Sequence, residues 1–96
     1  MQNAKDIKGK YKPGLVPMGP LVKAISKVRE YGTKKYGDPD NWRKVPVEHY
    51  YEAAMRHMIE VNDCHKAKDR ESGIYHLYHV ACNIAFILAL EVFGDE

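Results

Sequence analysis

The pattern of apolar and polar residues predicts three helices, and the last of them organises the rest of the chain. Between residues 71 and 90 most positions are apolar, whereas His76, His79 and Asn83 fall on one stripe at helical spacing. Over residues 80–90 this helix is apolar on every side, so we expect it to be buried on all faces. Buried polar groups need hydrogen-bonding partners or a ligand. The line of two imidazoles and one amide is therefore the first candidate for a functional site.

Two earlier segments repeat apolar residues at the spacing of an amphipathic helix. The first is predicted to run from Pro20 to Gly32 or Gly37, because proline suits the first helical position and glycine suits the end. The second is predicted over residues 47–63, with residue 64 as the alternative end. Its expected core stripe consists of Val47, Tyr51, Ala54, Met58 and Val61.

The remaining segments are predicted to be irregular. Residues 1–19 combine glycine, proline and lysine without a helical or strand period, and we interpret them as an extended arm. Its apolar residues Leu15, Val16 and Met18 are expected to pack along the helices. In the connector before the third helix, Ser72 is expected to be the N-cap of that helix, and the carboxylates of Asp69 and Glu71 are expected to stabilise its positive N-terminus.

Length and composition favour a small cytoplasmic domain. With 96 residues the chain is near the lower limit for a self-sufficient core, so we expect a homodimer or higher oligomer to complete it. A net charge of +2 is too small to favour nucleic acid as a partner. The polar N-terminus carries no secretory signal segment, and polar residues interrupt the third helix, so we expect neither secretion nor a membrane span.

A histidine of the second helix is predicted to meet the polar stripe of the third. The connector is short enough to make the two helices an antiparallel hairpin, which brings His57 toward His76 and His79. We interpret these three imidazoles and Glu71 as ligands of a metal ion. Such a set suits Zn, Mn, Fe or Ni, whereas Mg prefers oxygen ligands. The alternative is that the histidines are satisfied by tyrosine hydroxyls and carboxylates within the bundle.

Cations and aromatic residues cluster around the end of the first helix. Lys34 and Lys35 stand between tyrosine–glycine pairs, and with Arg56 we interpret them as phosphate-binding residues. Trp42, the only tryptophan, is expected either to cover the core or to stack on a base, and Tyr36 is a second candidate for stacking. The other cations of the first helix are expected to be solvated, namely Lys23, Lys27 and Arg29.

Six short motifs follow one another along the chain in a characteristic order. They are Lys8-Gly-Lys10 with Leu15-Val-Pro17, Tyr31-Gly-Thr-Lys-Lys-Tyr-Gly37, Asn41-Trp42, Arg56-His57, Asp69-x-Glu-Ser-Gly73 and His76-x-x-His79-x-x-x-Asn83. In this order they resemble the N-terminal domain of dATP/dGTP diphosphohydrolases, a phage-encoded family related to the MazG-like all-α NTP pyrophosphohydrolases. The resemblance covers about residues 8–91.

The resemblance implies an all-α bundle that hydrolyses purine deoxynucleoside triphosphates to monophosphate and pyrophosphate with a divalent metal such as Mg, Mn or Zn. The ExxE and ExxD pairs that are usual in the MazG-like superfamily are replaced here by wider glutamate spacing and by imidazoles. The implied catalytic residues are Glu52 and Glu71, and the implied substrate-binding residues are Lys34, Lys35, Tyr36, Trp42, Arg56 and Asn83. The alternative function is a non-catalytic phage accessory protein that binds nucleotide or a host partner and holds a structural metal. For a phage protein the compartment is the host cytoplasm.

Overall fold

The computed structural model describes residues 9–94, which form an all-α structure of three main helices. These residues contain no strand, and a single isolated bridge joins Lys68 to Tyr75. The helices are α1 (Met18–Tyr36), α2 (Val47–Asp63) and α3 (His76–Ile87), which continues as a π-helical segment over Leu88–Val92. Short 3₁₀ turns cover Pro13–Leu15 and Asn41–Lys44. The sequence therefore predicted the number and order of the helices correctly.

The ends of α1 and α2 follow from local chemistry. α1 begins at Met18, two residues before the predicted start, so Pro20 lies within the first turn, where its missing N–H has no intrahelical partner to lose. The helix ends at Gly37, whose φ of 73° is left-handed and whose N–H donates to the Thr33 carbonyl at 2.8 Å. α2 has the predicted bounds.

α3 packs against both α1 and α2, and more extensively against α2. Within a single chain α3 is not buried on every side, since Leu77, Ile84 and Leu88 form an exposed stripe along it, and the expected burial of all its faces would require an oligomer. The buried residues of the described chain comprise four apolar ones and three polar ones. They are Ala24, Val61, Val80, Cys82, His76, His79 and Asn83. The interior around α3 is thus unusually polar for so small a bundle.

The rotation of α2 differs from the predicted core stripe. Tyr51 and Met58 are 43% and 47% exposed, whereas Val61 is buried and His57 is half-buried. α2 carries a second apolar surface beside the buried one, and helical periodicity cannot tell which of two such surfaces faces the interior. The side of α2 that carries His57 and Val61 therefore faces the bundle, and the side that carries Tyr51 and Met58 does not.

The arm does not pack along the helices as expected. Residues 1–8 of the predicted arm, including Lys8, lie outside the described residues. In the described part Leu15 is 82% exposed, and Val16 and Met18 are also exposed. Within residues 9–94 no helix is both long and apolar enough to cross a membrane.

The connector between α2 and α3 is a tight loop and not the first turn of a helix. The N–H of Asp69 donates to the Ile74 carbonyl at 2.8 Å, and the N–H of Gly73 donates to the Asp69 carbonyl at 2.8 Å. Gly73 has a φ of 73°, a left-handed conformation that glycine tolerates. Because α3 begins only at His76, the prediction of Ser72 as its N-cap is wrong. The loop instead turns its side chains toward α2 and α1.

Candidate functional site

A cavity of about 430 Å³ lies between the three helices, the Asn41–Lys44 turn and the α2–α3 connector. It collects most of the side chains that the sequence singled out. Those lining it are Lys35, Tyr36, Trp42, Arg56, His57, Glu71, His79 and Asn83. Lys34 lies instead in a shallower groove on another side of α1, and Glu52 is exposed on α2 away from the cavity. The structure thus brings eight of the eleven candidates to one cavity and leaves Lys34 and Glu52 apart from it, while His76 lies behind the cavity in contact with His57.

Two side chains of the cavity wall and a buried histidine behind them converge closely enough to hold a metal ion. His57, Asp69 and His76 each offer a ligand atom, and these atoms lie within 4.8 Å of one another. The two imidazoles approach most closely, with 2.8 Å between His57 Nδ1 and His76 Nδ1. One carboxylate with two imidazoles is a donor set that suits first-row transition ions. The sequence identified both histidines but assigned Asp69 only a structural role.

The protonation of His57 and of the neighbouring His79 also suits a metal. Burial, followed by the neighbouring imidazoles of His79 and His76, lowers the pKa of His57 to about 4. Burial likewise lowers the pKa of His79. At neutral pH both rings are therefore uncharged and present a lone pair, which is the form that metal ions bind.

His79 stands beside this group and is held separately. Its ring stacks on that of His57, with centroids 4.5 Å apart and planes 9° from parallel. Its Nε2 is 2.7 Å from the hydroxyl oxygen of Ser72. The amide of Asn83 donates to the backbone carbonyl of His79 at 2.8 Å, which fixes the polar stripe along α3. The three polar residues of α3 are thus all engaged, as buried polar groups must be.

Glu71 points away from the metal-binding group. Its carboxylate accepts a hydrogen bond from the Tyr31 hydroxyl and pairs with Lys35 Nζ at 2.5 Å, on the exposed side of the cavity. These two donors, Lys35 first, lower the pKa of Glu71. The pair ties the connector to α1 and offsets the charge of Lys35.

Trp42 forms a fixed wall of the cavity. Its ring stacks on Phe86 with centroids 4.9 Å apart, and the Arg43 guanidinium lies 4.4 Å from its centroid. The hydroxyl of Tyr50 donates to the Trp42 carbonyl at 2.8 Å, and burial raises the pKa of Tyr50 to about 12. Trp42 was expected either to cover the core or to stack on a base, and its contacts with Phe86 and Tyr50 match the first expectation. Tyr36 lines the same cavity and is 59% exposed.

Arg29 is a cavity residue that the sequence assigned to a solvated face. It is half-buried, with its guanidinium 5.4 Å from the centroid of Phe86 and a hydrogen bond to the Pro39 carbonyl. Within residues 9–94 neither Arg29 nor Arg56 has a carboxylate within ion-pair distance. Two cationic side chains without an acidic partner therefore line the cavity, together with Lys35. Helical spacing placed Arg29 off the apolar stripe, but an arginine can bury its stem and still reach a cavity.

These features define a small all-α protein whose polar core opens into a cavity with histidine, carboxylate and cationic side chains. The chain belongs to the family described as "dATP/dGTP diphosphohydrolase, N-terminal", whose family model matches residues 1–96. It is similar to a dATP/dGTP diphosphohydrolase of Salmonella phage PMBT28, with 28% identity over 85 residues. That alignment covers 84% of this chain but only 29% of the phage protein. No solved structure matches the chain significantly.

Proposed function

We propose that the chain forms part or all of a metal-dependent pyrophosphohydrolase that converts purine deoxynucleoside triphosphates, dATP or dGTP, to monophosphate and pyrophosphate. The main support is that a carboxylate–imidazole group suited to a metal adjoins the same cavity as cationic side chains suited to phosphates. The names of the family and of the phage relative support the substrate class. By the same relationship the protein is phage-encoded and acts in the host cytoplasm.

The proposed roles of the side chains follow from their places in the cavity. His57, Asp69 and His76 would hold the ion. Of the other two predicted ligands, His79 stacks on His57, and Glu71 is bonded to Tyr31 and Lys35. A bound divalent ion would polarise a phosphate oxygen and increase the acidity of a water molecule. Mn or Zn fits the nitrogen donors better than Mg does.

Substrate would be held by the cationic and aromatic part of the cavity. Arg56, Arg29 and Lys35 would neutralise the negative charge of a triphosphate, and Arg has the planar fork that suits phosphate oxygens. Tyr36 offers an exposed ring on which a base can stack, whereas Trp42 already contacts Phe86 and Arg43. The amide of Asn83 completes the polar lining. The catalytic role of Glu52 and the phosphate-binding role of Lys34 remain predictions from the sequence.

The proposal is tested by incubating the protein with dATP, dGTP, dCTP and dTTP in the presence of Mg, Mn, Co or Zn. We expect release of pyrophosphate from the purine nucleotides, which distinguishes this reaction from release of inorganic phosphate. Asp69→Asn should lower kcat at least about 100-fold, because the anionic donor of the ion is lost. Asp63→Asn, a matched change on the exposed side of α2, should leave the rate unchanged.

Binding of a nucleotide without hydrolysis under all of these conditions would contradict the proposal. It would favour the accessory-protein alternative, for which the exposed position of Glu52 is the specific observation. A rate that Asp69→Asn does not change would also contradict it.

Lys35 provides a separate prediction on substrate affinity. Lys35→Ala should raise the KM for a triphosphate about 10-fold and leave the fold intact, since an exposed cation is removed from the cavity mouth. Lys27→Ala removes an exposed cation of the same helix outside the cavity and should leave KM unchanged. If both variants behave like the unmodified protein, Lys35 serves only to hold Glu71.

A further inference from the structure

Two donors from α1 converge on a single oxygen atom at the mouth of the cavity. The Tyr31 hydroxyl and the Lys35 ammonium both donate to the same carboxylate oxygen of Glu71, with Lys35 Nζ at 2.5 Å. All three side chains line the cavity. An ammonium and a hydroxyl directed at one anionic oxygen are also suitable donors for a phosphate oxygen. The carboxylate of the connector therefore occupies a position that suits an anion from outside the protein.

The contacts of Glu71 are of a kind that a stronger anion can replace. The side chains of Lys35 and Glu71 are 40% and 59% exposed, and water screens an ion pair at such a position, so it contributes little to stability. A phosphate group near neutral pH carries up to about two negative charges, whereas a carboxylate carries one. The connector keeps its shape without these contacts because backbone hydrogen bonds hold it, such as that from the His76 N–H to the Ala67 carbonyl at 2.9 Å. Rotation of the Glu71 side chain is then sufficient to free both donors.

The two donors also lie next to the proposed metal-binding group. The edge of one ring faces the other where Tyr31 meets His79, with centroids 6.5 Å apart, and His79 in turn stacks on His57. We propose that the Tyr31 hydroxyl and the Lys35 ammonium form a phosphate subsite, which the Glu71 carboxylate occupies in the free protein and leaves when a polyphosphate binds. Glu71 is thus an internal competitor that lowers the affinity for the ligand. That the polyphosphate is part of a nucleotide rests on the proposed function, but the subsite does not.

The subsite is tested by calorimetry with inorganic tripolyphosphate on the chelator-treated full chain, which requires neither a metal nor hydrolysis. Glu71→Gln should bind tripolyphosphate about 10-fold more tightly than the unmodified protein, because the competing charge is lost. Asp38→Asn also removes one negative charge from the cavity, but Asp38 bonds to Asp40 and Lys44 instead, so the affinity should change by no more than about 2-fold. Adding Tyr31→Phe to Glu71→Gln should cancel most of the gain, since the ring remains and the donor is lost.

Several results would overturn the proposal. They are a Glu71→Gln affinity no higher than that of the unmodified protein, a gain no larger than that of Asp38→Asn, and a gain that Tyr31→Phe leaves in place. In the unmodified ¹³C-labelled protein, the carboxyl resonance of Glu71 should move toward that of solvent-exposed glutamates as tripolyphosphate is added. A resonance that stays in place while tripolyphosphate binds overturns the proposal even if no variant folds. Tighter binding by Glu71→Gln without hydrolysis of any nucleotide would support the subsite and overturn only the proposed function.

Discussion

Replacing His76 with alanine is expected to abolish tight binding of a transition-metal ion and, with it, nucleotide hydrolysis. The unmodified protein should bind Zn or Mn with submicromolar affinity, because two imidazoles and a carboxylate converge within the span of one ion. His76→Ala leaves two of the three donors. The affinity should fall by more than about 100-fold, beyond the usual effect of losing an outer hydrogen bond. Calorimetry on chelator-treated protein measures both values.

The control for this prediction is His65→Ala, because His65 is an exposed histidine of the connector outside the metal-binding group. Circular dichroism on the metal-free His76→Ala protein verifies that the helices persist. His57→Ala provides a second variant of the same group, in which the lost side chain is half-buried and not fully buried. Unmodified protein that takes up no ion after reconstitution would contradict the prediction.

Leu88→Asp is expected to break a homodimer and to lower the stability of the fold. Leu88 is 44% exposed on α3, on the same side as Leu77 and Ile84. On α2 the neighbouring exposed residues are also apolar, and they comprise Tyr51, Met55, Met58 and Ile59. The Tyr51 hydroxyl bonds to Glu91, which joins the two surfaces into one. Burying each large side chain against a second copy would stabilise the assembly by about 1.5–3 kcal/mol.

A two-fold arrangement suits this surface because large apolar side chains predominate on it and can pack against their own copies. Pairing of two α2–α3 hairpins would give a four-helix core, in agreement with the expected homo-oligomer. Light scattering of Leu88→Asp should show a monomer, with a lower denaturation midpoint. Leu15→Asp makes the same change at a leucine that is 82% exposed in the arm, and it should leave the mass unchanged. A stable monomer of the unmodified protein at micromolar concentration would refute the prediction.

Much of the fold could be predicted because interactions between residues close in sequence determine where a helix ends. Gly37 ends α1 through its left-handed conformation, and the predicted bounds of α2 match the structure. The rotation of α2 could not be predicted in the same way. Met58 and His57 lie on different sides of the helix. Apolar character predicts that Met58 is buried, but the structure exposes Met58 and places His57 in the cavity wall. Only the packing against α3 decides between them.

The site was predicted in part for a related reason. The short connector brought His57 and His76 together, as the sequence indicated. Asp69 and Glu71 are two residues apart in that connector, and outside a helix no fixed period states which one points inward. The signal that was missed is the Asp-x-x-Ser pattern, in which the aspartate accepts the serine N–H and folds the loop inward. Asp69 and Ser72 were equally well explained as helix-capping residues, so the turn that they form was not predicted.

The central claim is that a metal ion bound by His57, Asp69 and His76 also contacts the triphosphate. Its most direct test is to identify the atoms that surround the bound ion. Electron–nuclear double resonance on the Mn-loaded protein, with a dATP analogue that cannot be hydrolysed, detects both kinds of neighbour at once. The account predicts nitrogen couplings from two imidazoles together with phosphorus couplings in the same complex, and loss of the nitrogen couplings in His76→Ala. Phosphorus couplings without any imidazole nitrogen would mean that the ion accompanies the nucleotide to another place, and would contradict the account.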